Sequence, residues 1–430
     1  MIKPVTMFRS LLIILIITSI GCDAGNKRDE KAEKAKKADL SFVDASKGLP
    51  TSGQWRHGFA LSDINGDGYQ DILAPPPRKA SDKYSGPVLW YGSEEGEWRK
   101  GTLDVPSDIE YDYGSVAVGD FDGDNIADMA LGMHAKDVKV LKGTGKNGYV
   151  DFSKGLPLSK EFKSRALVSA DFDNDGIDEF VAVAEADFSK DLSIVYDPPS
   201  GLWVFDFQDS QWKGRPALDK KMQMGFYSDQ VVTGDVNGDG YADVGVAAFV
   251  HTMDNKIWIN DGKGGFTPFN EGLVKNKTYN SIALGDINMD GRDDLIAYIT
   301  GFGQKGYRGL KAFLSRPDGF EDISEGLPQN EFFGAICAGD LDKNGGVEVV
   351  AATPEGGLKI FRYGEKGWER MRVEGLPESG LVRVFSIYCK DINGDGYKDL
   401  AMNYARGSDD SGGIRVFLNT TGGVEEPGKK

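Results

Sequence analysis

The stretch DINGDGYQD, residues 63–71, carries Asp63, Asn65, Asp67 and Asp71 at its first, third, fifth and ninth positions, with Gly66 and Gly68 between them. Alternate side chains of a tight loop turn toward one centre, so this spacing gathers oxygen atoms. Six further copies follow: DFDGDNIAD from Asp120, DFDNDGIDE from Asp171, DVNGDGYAD from Asp235, DINMDGRDD from Asp286, DLDKNGGVE from Asp340 and DINGDGYKD from Asp391. Successive first aspartates stand 51 to 64 residues apart, the length of a four-stranded blade rather than of a helical solenoid unit.

Each copy has similar flanks. Short runs of β-branched and small residues precede it (SVAVGD, QVVTGD, SIALGD) and follow it (DILA, DVGVAAF, DLIAYI), which reads as one strand entering the acidic loop and a second leaving it. An aromatic third strand comes next (VLWYG, LWVFDF, KIWIN, KAFLS, KIFRY, IRVFLN), then an outer fourth in a segment ending at or near GLP. The last unit stops after its third strand at residues 414–419, whereas the body begins with LSFVDASKGLP, which matches the fourth-strand segments YVDFSKGLP and FEDISEGLP. An N-terminal strand that completes the last blade closes a ring and removes its open seam. The expected fold is all-β: a seven-bladed β-propeller of four-stranded blades over residues 40–422.

The whole chain has 430 residues, 57 of them Gly and 17 Pro, and is 40% hydrophobic, a composition suited to a large globular body. Asp and Glu outnumber Lys and Arg by 67 to 50, giving a net charge of −17, so no nucleic-acid partner is expected. Lys3 and Arg9 precede the apolar run LLIILIITSIGC, too short for a comfortable membrane span and right for a signal peptide over residues 1–21. Cys22 directly after Gly21 resembles a bacterial lipobox, in which the cysteine is lipidated; Ser19 stands where that pattern carries Leu, and an ordinary small-x-small cleavage site is the alternative. Residues 22–39 read as a charged tether and residues 423–430 as a disordered tail. The expected location is a bacterial cell envelope, periplasmic or surface-facing, with membrane contact through the lipid only, or otherwise the secreted fraction. Cys337 and Cys389 lie in apolar stretches before acidic loops. They are read as buried free thiols that an exported domain could oxidise, since sequence alone does not bring their Cα atoms within reach.

Calcium takes six to eight oxygen ligands. Each loop offers side chains from positions one, three, five and nine and the backbone carbonyl of position seven. The sets are Asp63, Asn65, Asp67, Tyr69 and Asp71; Asp120, Asp122, Asp124, Ile126 and Asp128; Asp171, Asp173, Asp175, Ile177 and Glu179; Asp235, Asn237, Asp239, Tyr241 and Asp243; Asp286, Asn288, Asp290, Arg292 and Asp294; Asp340, Asp342, Asn344, Gly346 and Glu348; Asp391, Asn393, Asp395, Tyr397 and Asp399. An EF-hand would place Glu at position twelve, which here is Ala74, Leu131, Ala182, Val246, Ala297, Ala351 or Met402, so that reading fails. Asp-Gly pairs alone make turns, but turns do not call for a carboxylate at position nine in every copy. The repeats resemble the FG-GAP/VCBS family of calcium-loop propellers, to which the integrin α-subunit head belongs, over all seven units. That resemblance implies up to seven Ca²⁺ ions, with the sixth loop weakest because Asn344 replaces an aspartate beside Lys343.

In such a propeller the acidic loops share one face, which leaves the opposite face for a ligand. Trp55, His57, Tyr113, Arg165, Tyr227, Asp229, Tyr279, Phe333, Arg383 and Phe385 precede or begin the first strands and are expected to ring the channel mouth, where aromatic and charged groups suit a glycan or protein ligand; packing between blades is the other use of such residues. Long second-to-third-strand connections put Arg78, Lys79, Tyr84, Tyr196, Tyr307, Arg308, Tyr404 and Arg406 on a rim. The chain has no nucleophile elbow, paired-His metal motif, CxxC or phosphate-binding glycine loop, and of its three histidines (His57, His134, His251) only His57 is placed at the mouth. The expected function is that of a calcium-binding, envelope-tethered binding or adhesion module, with no catalytic residues assigned. The alternative follows from a resemblance of this repeat class to some secreted calcium-dependent polysaccharide lyases: an enzyme using charged residues at the mouth.

Overall fold

The computed structural model describes residues 38–78, 84–134, 136–158, 162–164, 166–185, 200–217, 228–248, 256–301, 307–381, 383–405 and 411–423. All strands among the described residues belong to the unit Ala38–Lys430. No helix among the described residues is long and apolar enough to cross a membrane.

The strand β1 (Leu40–Asp44) opens the body. Blade one is β2 (Ala60–Ser62), β3 (Asp71–Ala74), β4 (Val88–Tyr91) and β5 (Arg99–Lys100); blade two is β6 (Gly114–Gly119), β7 (Asp128–Met133), β8 (Val138–Gly143) and β9 (Tyr149–Asp151). Blade three is β10 (Leu167–Ala170), β11 (Glu179–Ala184), β12 (Gly201–Gln208) and β13 (Gln211–Pro216); blade four is β14 (Ser228–Gly234), β15 (Asp243–Ala248), β16 (Ile257–Asn260) and β17 (Phe266–Pro268). Blade five is β18 (Thr278–Gly285), β19 (Asp294–Thr300), β20 (Arg308–Arg316) and β21 (Gly319–Asp322); blade six is β22 (Ile336–Gly339), β23 (Glu348–Ala352), β24 (Leu358–Gly364) and β25 (Gly367–Arg370). After a short β26 (Val373–Glu374), blade seven is β27 (Val384–Lys390), β28 (Asp399–Ala405) and β29 (Gly412–Asn419), completed by β1.

Seven antiparallel four-stranded blades in a ring match the expected fold. β1 pairs antiparallel with β29 through Phe42 and Asn419, Val43 and Leu418, and Asp44 and Phe417. One feature was not expected: the last sheet has a fifth strand, because β26 leaves blade six alongside β1 and pairs with it in parallel. Arg372 fastens that junction by an ion pair to Asp39 at 3.1 Å.

Second strands such as β7, β11 and β28 are buried along their whole length, since each lies mid-sheet with a neighbouring blade on either side and therefore reads as a continuous apolar run. Apolar clusters fill the seams between blades; one combines Ile296, Leu310 and Ala312 of blade five with Val349, Ala351 and Trp368 of blade six. The GLP segments belong to these seams. A Cβ on Gly326 would lie 2.3 Å from the Trp368 carbonyl oxygen of the next blade, and one on Gly155 2.3 Å from that of Trp212. Their φ values of +96° and +94° are also those that glycine adopts without strain. The tryptophans answer across the seam, Trp368 Nε1 donating to Ile323 O at 3.0 Å and Trp212 Nε1 to Phe152 O at 2.7 Å.

Cys337 and Cys389 correct the expectation of free thiols. They sit on β22 and β27, the innermost strands of blades six and seven, with Cα atoms 6.0 Å apart, and form a disulfide. Blade order brings them together across 52 residues of sequence, a proximity that exists only once the ring is formed.

Candidate functional site

The first-to-second-strand loops repeat one hydrogen-bond scheme. The Asp63 carboxylate accepts from the amides of Gly66 (2.7 Å), Asp67 (3.1 Å) and Gly68 (2.8 Å), and Asp235 does the same with Gly238, Asp239 and Gly240. Position nine is buried. Asp71 accepts from Ile64 N and from Gly92 N, both at 3.0 Å, and so ties the loop to the end of the third strand. Asp128, Asp243, Asp294 and Asp399 each accept the corresponding pair of amides. Burial pushes these carboxyls up, with the neighbouring loop carboxylates adding to it: Asp71 to about 6, and Asp128, Asp243, Asp294 and Asp399 to about 7. Glu179 and Glu348 reach about 8 from the same cause. Position twelve falls within the second strand in every copy.

Three loops gather carboxylate oxygens within 4.8 Å of one another: Asp120, Asp122 and Asp128; Asp171, Asp173 and Glu179; Asp340, Asp342 and Glu348. Glu348 Oε2 accepts from Leu341 N at 2.8 Å, while its Oε1, like Asp122 Oδ1, is buried without a hydrogen-bond donor. A buried carboxylate oxygen without a donor is costly unless a cation faces it, so these residues fit a divalent ion. Cations of the protein itself also approach. Lys142 pairs with Asp122 and, at 2.7 Å, with Asp124, and Arg362 pairs with Asp342 at 3.1 Å. Both follow the third-strand residue that pairs with position ten. In blade three that register position is Asp206, whose charge raises the Asp173 and Glu179 carboxyls further and which is paired with Arg215.

The first strands surround a channel of about 560 Å³, lined from His57 and Asp229 at one end, past Cys337 and Cys389, to Lys390 at the other. Lys390 Nζ donates to Leu61 O at 2.8 Å, and burial pulls its pKa down.

Some of the residues named for the mouth lie together. His57 Nδ1 lies 3.4 Å from Asp229 Oδ1, and its ring stacks on Tyr113 at 5.6 Å between centroids. Arg383 lies over the Phe385 ring at 5.3 Å. Trp55, Tyr279 and Phe333 lie instead in the seams between blades, with exposures of 2%, 0% and 7%, Phe333 edge-on to Tyr298 of the preceding blade. Their apolar area is worth more in the seams than in water. On the rim, Tyr404 is buried in the seam between blades six and seven and Tyr84 packs on Trp55, while Arg308 stacks on the exposed Phe332 at 4.2 Å. Arg165, Tyr227, Lys79, Tyr196, Arg406 and Cys22 lie outside the described residues.

Three mouth residues were not singled out from sequence for this position: Arg56, Arg78 and His134. Arg56 reaches the Phe385 ring at 4.9 Å, Arg78 the Tyr113 ring at 5.6 Å, and His134 stacks on Tyr113 at 4.7 Å. The short β7–β8 connection holds His134 against the entry to the first strand, where His134 N donates to Tyr113 O at 2.8 Å. His57 and Arg383 both hold φ near +60°, at +67° and +62°, sparsely populated for non-glycine residues and often found at functional positions.

Residues 235–297 match the family model of the FG-GAP-like repeat. No curated protein matches the sequence. Solved structures that align with the chain include crystal structures of BBS1N in complex with ARL6DN, soaked with lead and with mercury. Each has 10% identity and covers 88% of this chain and 96% of its own, with TM-scores of 0.48 and 0.49.

Proposed function

The chain is an FG-GAP repeat β-propeller, and on that premise we propose that it is a calcium-stabilised binding module whose ligand, a glycan or a protein, meets the face opposite the acidic loops. The observation that carries this reading is the division of the two channel ends. One end gathers carboxylates held by backbone amides; the other gathers Arg56, His57, Arg78, Tyr113, His134, Asp229, Arg383 and Phe385. Convergent aromatic and charged groups around a concavity are what a binding site needs.

Bound Ca²⁺ would neutralise the loop carboxylates and link each loop's first turn to the start of the second strand. The residues that would hold it are those at positions one, three, five and nine, with the position-seven carbonyl. The protein groups do the remaining work: amides orient the position-one carboxylate, and the third strand fixes position nine. In the same reading the lipidated Cys22 and the charged segment that follows it tether the propeller to a bacterial envelope. Glycan arrays and pull-downs with the full chain, repeated with Tyr113→Ala and Arg383→Gln, test the binding face. Ligands whose capture is unaffected by both changes would remove it.

A second reading keeps one specific observation in its favour: His57, His134 and three arginines meet at one place, as an acidic-polysaccharide lyase would require for proton abstraction beside a neutralised carboxylate. Incubation with uronate-containing polysaccharides, followed by ultraviolet absorbance of a new carbon–carbon double bond, decides it; no absorbance change leaves the binding module alone.

A further inference from the structure

The chain has a surplus of acid, and five of the twelve arginines among its described residues are taken up by it. Arg215, Arg316, Arg362, Arg372 and Arg415 each hold a carboxylate. At the mouth three more stand close together. Arg56 and Arg383 both lie against the single ring of Phe385, and Arg78 against Tyr113, yet among the described residues none of these three guanidinium groups makes an ion pair, and Arg56 Nε is buried with no hydrogen-bond partner. Asp229, whose charge reaches Arg56, lies 3.4 Å from His57 Nδ1. Burial, then the charges of Arg78 and of Arg383, hold the Arg56 guanidinium below its ordinary value, with Asp229 pulling more weakly the other way, which marks the three as close enough to repel. Like charges kept together in a partly buried concavity are destabilising, and the positive φ of Arg383 adds local strain in the same place.

We propose that the channel mouth is an oxyanion site, in which Arg56, Arg78 and Arg383 together hold a carboxylate, sulfate ester or phosphate ester of the ligand. This rests on the binding-module reading and gives it a chemical class. Guanidinium groups offer flat paired donors that match the two oxygens of such a group, and their contacts with the Phe385 and Tyr113 rings hold them at the mouth before a ligand arrives. An incoming oxyanion would relieve the mutual repulsion and give Arg56 Nε an acceptor. The stacked rings of Tyr113 and His134 beside the arginines would then support the carbon skeleton that carries the anion.

Titration of the full chain with glucuronate, inorganic sulfate, inorganic phosphate and, as a neutral control, glucose tests this by calorimetry. The expected result is saturable binding of at least one anion and none of glucose, with affinity reduced about tenfold or more in Arg56→Gln and Arg383→Gln and melting temperatures close to that of the parent. Tighter binding of glucuronate than of the inorganic ions assigns a carboxylate; the reverse order assigns a sulfate or phosphate ester. Glucose binding as tightly as glucuronate, no anion binding, or anion binding that survives the double variant overturns the proposal. Its failure is separable from that of the binding-module reading. A ligand found on arrays and lost in Tyr113→Ala but retained in both arginine variants keeps the binding face and discards the oxyanion; a ligand indifferent to all three discards both.

Discussion

The position-nine carboxylate shows how much one residue does in this fold. In Asp128 one oxygen accepts from Phe121 N at 3.1 Å and the other from Gly143 N at 2.7 Å, so a single side chain joins the loop to two strands. Replacing it with Asn leaves one acceptor and turns an NH₂ group toward a backbone N–H. Asp128→Asn is expected to lower stability by about 1–3 kcal/mol in urea unfolding, even though it removes a buried charge. The raised carboxyls also set a pH dependence. Their folded values of about 6 to 8 lie above the unfolded ones near 4, so between these limits the folded state binds more protons, and stability falls as pH rises. In EDTA the melting temperature is therefore expected to climb as pH is lowered from 8 to 5. With excess Ca²⁺, which binds the ionised form, that gain should shrink or reverse. A metal-free melting curve that is flat across this range would contradict the burial argument.

At the scale of elements, the seams between blades carry the most specific packing. Gly326→Ala must either drive its Cβ into the Trp368 carbonyl or move the segment, and it keeps a φ of +96° that alanine resists. The expected loss is roughly 1–3 kcal/mol from backbone strain alone, read as a lower denaturation midpoint with unchanged m. The Cys337–Cys389 bridge joins two innermost strands. Cys337→Ser with Cys389→Ser is expected to cost about 2–4 kcal/mol, and titration of free thiols in the unreduced, unfolded parent should find neither of these two. The strand pattern itself was legible because every blade repeats the same flanks. The fifth strand of the last sheet was not, since Val373 and Glu374 have no strand pattern of their own and pair only because β1 returns to that edge.

For the whole molecule, closure by β1 makes the two ends of the body parts of one sheet. Deleting residues 40–44 uncovers the edge of β29 and leaves β26 without a partner. Such a chain should unfold less cooperatively and associate through its open edges, seen as a broadened melt and a larger hydrodynamic size; a monomer with parental stability would show that the ring does not depend on its N-terminal strand. Calcium acts at the same scale. Each site saturated a hundredfold above its dissociation constant adds about 2.7 kcal/mol, so the difference between Ca²⁺ and EDTA melts should be many degrees if several loops are loaded. Arg362 and Lys142 already face two of the loops, and Lys142→Gln should raise the calcium dependence of stability if it competes for the Asp122 carboxylate.

By itself the sequence determined the blade count, the strand order within each blade and the closure through Leu40 to Asp44, because these follow from a local pattern repeated seven times and from a missing strand at one end matched by a spare at the other. It also placed the acidic side chains at positions where a tight loop must bring them together. Only the tertiary structure decided which aromatic residues stay near the mouth and which are taken into the seams. Tyr113 directly precedes a first strand and Tyr279 stands at the start of one, yet Tyr113 meets His57 and His134 while Tyr279 is sealed between blades four and five. Position along the chain fixes which strand a residue precedes, but its exposure depends on the neighbouring blade, which lies about fifty residues away in sequence. The same reason hid the disulfide and the meeting of Arg56, Arg78 and Arg383: each joins residues of different blades, and only the closed ring brings those blades side by side.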